Sequence, residues 1–111
     1  MSKLRFAVSL TPAADRDMDE ILAYAVANFS KADAAILLRE ILKKIGSLAQ
    51  FPDRGSIPLE LVNAGEQRYR QLVHRHYRII YRRIDQQVVV YLIADGRRDM
   101  QTLFDQRLMA D

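Results

Sequence analysis

The stretch Tyr77–Arg98, YRIIYRRIDQQVVVYLIADGRR, decides the fold. Tyr77 to Arg83 is β-branched, aromatic and basic. Val88 to Ile93 is a continuous apolar run of mainly β-branched residues, of strand length and too short for a buried helix. The polar segment Asp85-Gln86-Gln87 between them makes a hairpin the economical reading, although it lacks the Asn-Gly or Asp-Gly pair of the tightest turns. Asp95-Gly96 then ends the second strand as a strong turn dipeptide, and Arg97 and Arg98 follow at once. An apolar pair of strands that delivers arginines to one end of a sheet is a scaffold with a functional rim.

Upstream, Gln67 to Val73 alternates, with Tyr69, Gln71 and Val73 pointing one way and Arg68, Arg70 and Leu72 the other. His74-Arg75-His76 is a polar connector to the central strand. Leu4 to Leu10 alternates as a half-buried strand. Thr11 is placed to cap a helix whose first residue is Pro12, with Asp15, Asp17, Asp19 and Glu20 at its positive end. Met18, Ile21, Leu22, Ala25 and Phe29 form the apolar face of that helix. Ser30 caps a second helix running to about Gln50, with the seam Ala34, Leu38, Ile41, Ile45 and Leu48, widened by Leu37 and Leu42. Gly46 marks either a close helix crossing or a fraying end. Phe51-Pro52 stops this helix, a loop follows from Asp53 to Pro58, and Leu59 to Leu61 forms a short turn. Downstream of the arginines, Asp99 is placed to cap a last helix with apolar positions Met100, Leu103, Phe104 and Leu108, and the chain ends at Asp111 with no disordered tail. The order βααβββ(α) describes one α+β domain over residues 1–111, with an antiparallel sheet covered on one face by a helical hairpin.

A chain of 111 residues is long enough to bury roughly two thirds of its extended surface around one core. It has no cysteine, so disulfides and thiolate metal sites are excluded and a reducing compartment fits. Two histidines in one connector do not make a metal site, and no cofactor is implied. No stretch is long and apolar enough to span a bilayer, and no signal peptide is evident, so the cytoplasm is the expected location. The net charge is +3, but its distribution says more. Gln67 to Arg83 holds six arginines (Arg68, Arg70, Arg75, Arg78, Arg82 and Arg83), two histidines and no acid, and all ten basic residues after position 50 are arginine. Arginine forks recognise phosphate or carboxylate, so a polyanion or an acidic protein surface is the expected partner. For the strand Gln67–Val73 the plainer reading is a solvated sheet face. Tyr77 and Tyr81 share a face with Ile79 and read as core, with hydroxyls reaching the rim. One of Arg97 and Arg98 has Asp95, Asp99 or Asp105 as a natural ion-pair partner, and the other suits a binding rim.

The combination of Leu10-Thr11-Pro12-Ala13-Ala14, Leu48-Ala49-Gln50-Phe51-Pro52, the Gly55 turn, Tyr77-Arg78-Ile79-Ile80-Tyr81 and Asp95-Gly96-Arg97-Arg98-Asp99, in this order, resembles the RelE/ParE superfamily of toxins from bacterial type II toxin–antitoxin modules. The resemblance is closest to the ParE branch. It implies a compact βααβββ fold, a cognate antitoxin that forms a heteromeric complex with the toxin, growth inhibition when the antitoxin is lost, and a role of the plasmid-stabilisation kind. ParE-like members trap DNA gyrase on cleaved DNA, with no catalytic residue of their own. RelE-like members cleave mRNA in the ribosomal A site without metal.

RNA cleavage through the 2′-OH needs a base, an acid and cationic stabilisation of the phosphate. Under that alternative His74, His76, Arg78 and Arg97 would carry it. However, Asp99 to Phe104 contains neither the Tyr nor the His that RelE-like nucleases use, and only Arg54 stands where they place lysines. The favoured reading is therefore gyrase inhibition, with Arg70, Arg78, Arg82, Arg97 and Arg98 as target-binding residues. A ribosome-dependent endonuclease, or a degenerate toxin that only binds antitoxin, are the alternatives.

Overall fold

A computed structural model describes residues 5–108, so a strand start at Leu4 and the chain end at Asp111 lie outside the described residues. The elements run β1 (Ala7–Leu10), α1 (Pro12–Asn28), α2 (Lys31–Gly46), α3 (Leu59–Val62), β2 (Tyr69–His74), β3 (Tyr77–Ile84), β4 (Gln87–Asp95) and α4 (Met100–Arg107). The three predicted caps form. Thr11 Oγ1 accepts from the Ala14 N–H at 3.1 Å, Ser30 Oγ from the Asp33 N–H at 3.0 Å and Asp99 Oδ1 from the Thr102 N–H at 3.1 Å. Each satisfies an N–H that a helix start leaves open. α2 stops at Gly46, and Ser47–Ala49 tightens into a 3-10 turn. Nothing lies within 4 Å of a Cβ built on Gly46, so this glycine marks the helix end rather than a close crossing.

The strand order is β1-β4-β3-β2. β2, β3 and β4 are an antiparallel meander, whereas β1 pairs with β4 in parallel. The sheet is thus mixed rather than wholly antiparallel. An alternating pattern reads the same in either strand direction, so it does not settle the direction of a partner far away in sequence. Both hairpin connectors are two residues long, because His74 pairs with Tyr77 and Ile84 with Gln87. Arg75 and Asp85 take φ of 57° and 54° there, the left-handed region that the right-handed twist of tight hairpins demands.

Both sheet faces are covered. α1 and α2 pack on one face over Leu72, Ile79, Tyr81, Val88, Val90 and Ile93. α3 and α4 pack on the other over Tyr69, Ile80, Leu92 and Ala94. The phase of β4 changes midway: Tyr81 pairs with Val90 but Ile80 with Leu92, so Tyr91 is a bulge residue. A bulge places two successive side chains on one face, and Tyr91 and Leu92 both join the α4 side. The apolar run therefore feeds two cores. Two residues assigned to the helical seams are instead exposed: Phe29, which lies past the last turn of α1, and Leu42, which is one residue off the buried line of α2.

β1 covers only the first half of β4, its last bond running from the Thr11 N–H to the Val90 carbonyl at 2.9 Å. Beyond it the outer edge of β4 is closed by side chains. Asp17 of α1 accepts the Ile93 N–H at 3.0 Å and the Arg107 guanidinium at 3.0 and 2.7 Å, and Arg107 also donates to the Tyr91 carbonyl at 2.9 Å. Asp17→Ala is expected to cost about 2 kcal/mol, since it strands a half-buried guanidinium and a backbone donor. Asp19→Ala, on the exposed side of the same helix, is expected to change stability by about 0.5 kcal/mol or less. Urea denaturation of the two variants tests this, and equal effects would show that Asp17 closes nothing.

Candidate functional site

At one end of the sheet the β2–β3 connector meets the turn after β4. The Gly96 N–H donates to the His76 carbonyl at 2.7 Å. A Cβ at Gly96 would come within 2.8 Å of Arg78 Cδ and 3.3 Å of the His76 oxygen. The turn presses on the hairpin, and glycine is what lets it do so. Tyr77 and Asp95 are paired across the strands here. The Asp95 carboxylate accepts the Arg97 backbone N–H at 2.9 Å and the Arg97 side chain at 2.9 and 2.6 Å. His76 Nε2 lies 3.7 Å from it. The Arg97 fork holds the Asp95 carboxyl at about 2, well below the usual range, and Arg97 is raised in return. Burial and the neighbouring Asp95 charge push the Tyr77 hydroxyl upward.

Against α1 this corner forms a cleft of about 340 Å³ lined by Glu20, Tyr24, His76, Tyr77, Arg97 and Arg98, among others. A second cleft of about 350 Å³ shares Tyr24, His76 and Tyr77 and continues past Phe29, Ile36 and Arg75. Tyr24 and Phe29 are 61% and 70% exposed. This groove is not legible in the sequence, because its walls come from α1, α2, the hairpin and the last turn.

The fold splits the candidate residues among different partners. His74 Nε2 is 2.7 Å from Glu40 of α2, which also takes Arg75 at 2.8 Å. These contacts, the His74 hydrogen bond first, hold the exposed Glu40 carboxyl low. Arg78 points to the opposite face of the sheet. It donates to Gln71 at 2.7 Å and grips Glu60 of α3 with both terminal nitrogens at 2.9 Å. Its guanidinium carbon also sits 5.4 Å from the centre of the Phe104 ring, so Arg78 clamps α3 and α4 to the sheet. Arg70 donates to the Gly55 carbonyl at 2.7 Å.

Among the described residues, Arg82 and Arg98 are the two expected target-binding arginines with no carboxylate partner. His74, His76, Arg78 and Arg97 are not brought together. Only His76 and Arg97 meet, at Asp95. Among the described residues no group of histidine and acidic side chains is placed to hold a metal ion, and no helix is long and apolar enough to cross a membrane.

A family model described as the ParE toxin of the type II toxin–antitoxin system parDE matches residues 8–100. The chain is similar in structure to the chromosomal ParDE system from P. aeruginosa. That match has a TM-score of 0.69 at 17% identity and covers 84% of this chain and 98% of the other. It is also similar to the RelBE2 toxin–antitoxin complex from Mycobacterium tuberculosis, with a TM-score of 0.51 at 21% identity over 85% of this chain and 94% of the other. At these identities the structural likeness is one of fold. No curated protein sequence matches significantly.

Asp95 and Glu66 are both held near 2, by Arg97 and Arg68 respectively. Carboxylates that bind protons less readily when folded stabilise the fold above their unfolded pKa of about 4, and that contribution drains away as the pH falls toward about 2. The expected result is a loss of stability between about pH 4 and pH 2 that is shallower in Asp95→Asn than in wild type. Urea midpoints across this range test it, and coincident slopes would show that Asp95 titrates normally.

Proposed function

The chain belongs to the ParE toxin family of type II toxin–antitoxin systems, and from that premise we propose that it blocks growth by inhibiting DNA gyrase and is neutralised by a cognate antitoxin. The observation that carries this reading is the family match over residues 8–100. It is supported by the dispersal of the nuclease candidates. His74 is tied to Glu40, Arg78 is tied to Glu60 on the other face, and α4 carries neither tyrosine nor histidine.

The antitoxin as partner is supported by the two similar structures, a ParDE system and a RelBE2 toxin–antitoxin complex. A gyrase target places the action in the cytoplasm. The contact surface we assign is the groove beside the Asp95–Asp99 turn, where the unpaired Arg98 and the exposed Tyr24 stand on opposite sides of one cleft. Arginine and tyrosine are the residue types that dominate interface energetics. Arg97, engaged by Asp95, orients this rim, whereas Arg78, gripped by Glu60, acts as a structural tie.

The test is a supercoiling reaction with purified gyrase, relaxed plasmid and this protein, stopped with detergent and protease. Toxin-dependent linear DNA is expected, relieved by the antitoxin, and Arg98→Ala is expected to lower potency about tenfold or more. Full supercoiling in excess toxin would overturn the gyrase reading. Shifted mRNA 5′ ends in translating extracts would then identify a ribosome-dependent endonuclease. Normal growth despite accumulation of folded protein would identify a chain that only binds antitoxin.

A further inference from the structure

At the opposite end of the sheet the loop after α2 docks on the outer edge of β2. Ser56 and Gln71 exchange backbone hydrogen bonds at 2.7 and 3.2 Å, and the Gly55 N–H donates to the buried Tyr81 hydroxyl at 3.0 Å. A Cβ at Gly55 would fall 2.4 Å from the Gln71 oxygen, so the loop is seated as closely as backbone allows.

This seating fixes three arginines. Arg70 donates to the Gly55 carbonyl and stands 3.9 Å from Asp53. Arg83 reaches the same Asp53 carboxylate at 3.0 Å, with its guanidinium carbon 4.6 Å from the centre of the Phe6 ring. Arg54 donates to Ser47 Oγ at 2.7 Å. Asp53 is the carboxylate that Arg70 and Arg83 share, and among the described residues Arg54 has no carboxylate within ion-pair distance, so this corner holds three guanidinium charges and one contacting negative charge. Arg70, Arg83 and Asp53 are 37%, 43% and 57% exposed at their side chains, and Arg54 is exposed as well. Unlike the fully paired Arg78 or Arg97, this corner keeps a net positive charge on forks already held in place. Little rotamer freedom remains to be lost on binding an anion.

We propose that Arg54, Arg70 and Arg83 bind the phosphodiester backbone of nucleic acid. Guanidinium forks already held in place present paired N–H donors to phosphate oxygens, and the corner keeps a net positive charge to attract them. The inference is independent of the gyrase reading. A short labelled DNA duplex and a single-stranded RNA of equal length serve as probes in fluorescence anisotropy over a salt series. Three phosphate contacts predict that log Kobs falls with log salt with a slope of about −2 to −3. The RNA and DNA arms identify which nucleic acid carries the phosphates.

Arg54→Gln/Arg83→Gln is expected to reduce the slope by about 2 in magnitude. Asp53→Asn is expected to tighten binding several-fold by removing the one competing carboxylate, a gain that misfolding does not produce. No binding of either probe at low salt, or unchanged or weaker binding by Asp53→Asn, overturns the proposal. Gyrase inhibition without nucleic-acid binding removes this inference and leaves the gyrase reading, and binding without gyrase inhibition does the reverse.

Discussion

The outer edge of β4 beyond Val90 is the constraint on which the rest of the structure depends. β4 has nine residues and β1 only four, so half of a central strand lacks a neighbour on one side. Unpaired backbone groups at that depth are costly unless something bonds them. Asp17 and Arg107 supply the missing partners, taking the Ile93 N–H and the Tyr91 carbonyl. Because Asp17 sits on α1 and Arg107 on α4, the same ion pair fixes the positions of both helices. α1 is thereby set against the Asp95–Asp99 turn, which opens the groove at Tyr24 and Tyr77. The bulge at Tyr91 shifts the phase of β4 along this same edge, so that Tyr91 and Leu92 both face the α4 side and Ile93 returns to the α1 side.

The arginines illustrate how little a charge count says about a surface. A run free of acids between Gln67 and Arg83 suggests an open cationic face. In the folded chain Arg68 meets Glu66, Arg75 meets Glu40, Arg78 meets Glu60 and Arg83 meets Asp53. All four of these acids lie upstream of the run, and strand alternation sends neighbouring arginines to opposite faces. Most of the cluster is internal stapling. Among the described residues, charge without a carboxylate partner remains at Arg82 on β3 and at Arg98 by the groove, and the Arg54–Arg70–Arg83 corner at the other end of the sheet keeps a net positive charge. A molecule with chemically different ends is suited to more than one macromolecular contact. The mixed, aromatic groove fits a protein surface, whereas the arginine corner fits phosphates.

The three helix caps, the two strands read at Tyr77–Arg83 and Val88–Ile93, the helical pair and the closing helix were legible in the sequence, with the strands extending to Tyr77–Ile84 and Gln87–Asp95 in the structure. Each is set by local stereochemistry: a cap side chain, a proline, a β-branched run, a 3.6-residue period. The resemblance to the RelE/ParE toxins was legible for the same reason, since its motifs are short and local. The outcome for Arg97 and Arg98 was half legible. The sequence offered Asp95 as a partner, but only the turn geometry assigns it to Arg97 and leaves Arg98 free.

The amino-acid sequence by itself determined which segments are helix and strand, where the capped helices begin, and to which family the pattern belongs, because these rest on interactions between residues a few positions apart. Only the tertiary structure decided that β1 runs parallel to β4, that Asp17 meets Arg107, that Arg78 turns away from the histidines to clamp α3 and α4, and that Arg70 and Arg83 share Asp53. Each of these joins residues many positions apart, through side-chain directions set by strand register and by a single bulge. A period in the sequence fixes the face a residue occupies but not the partner it finds there.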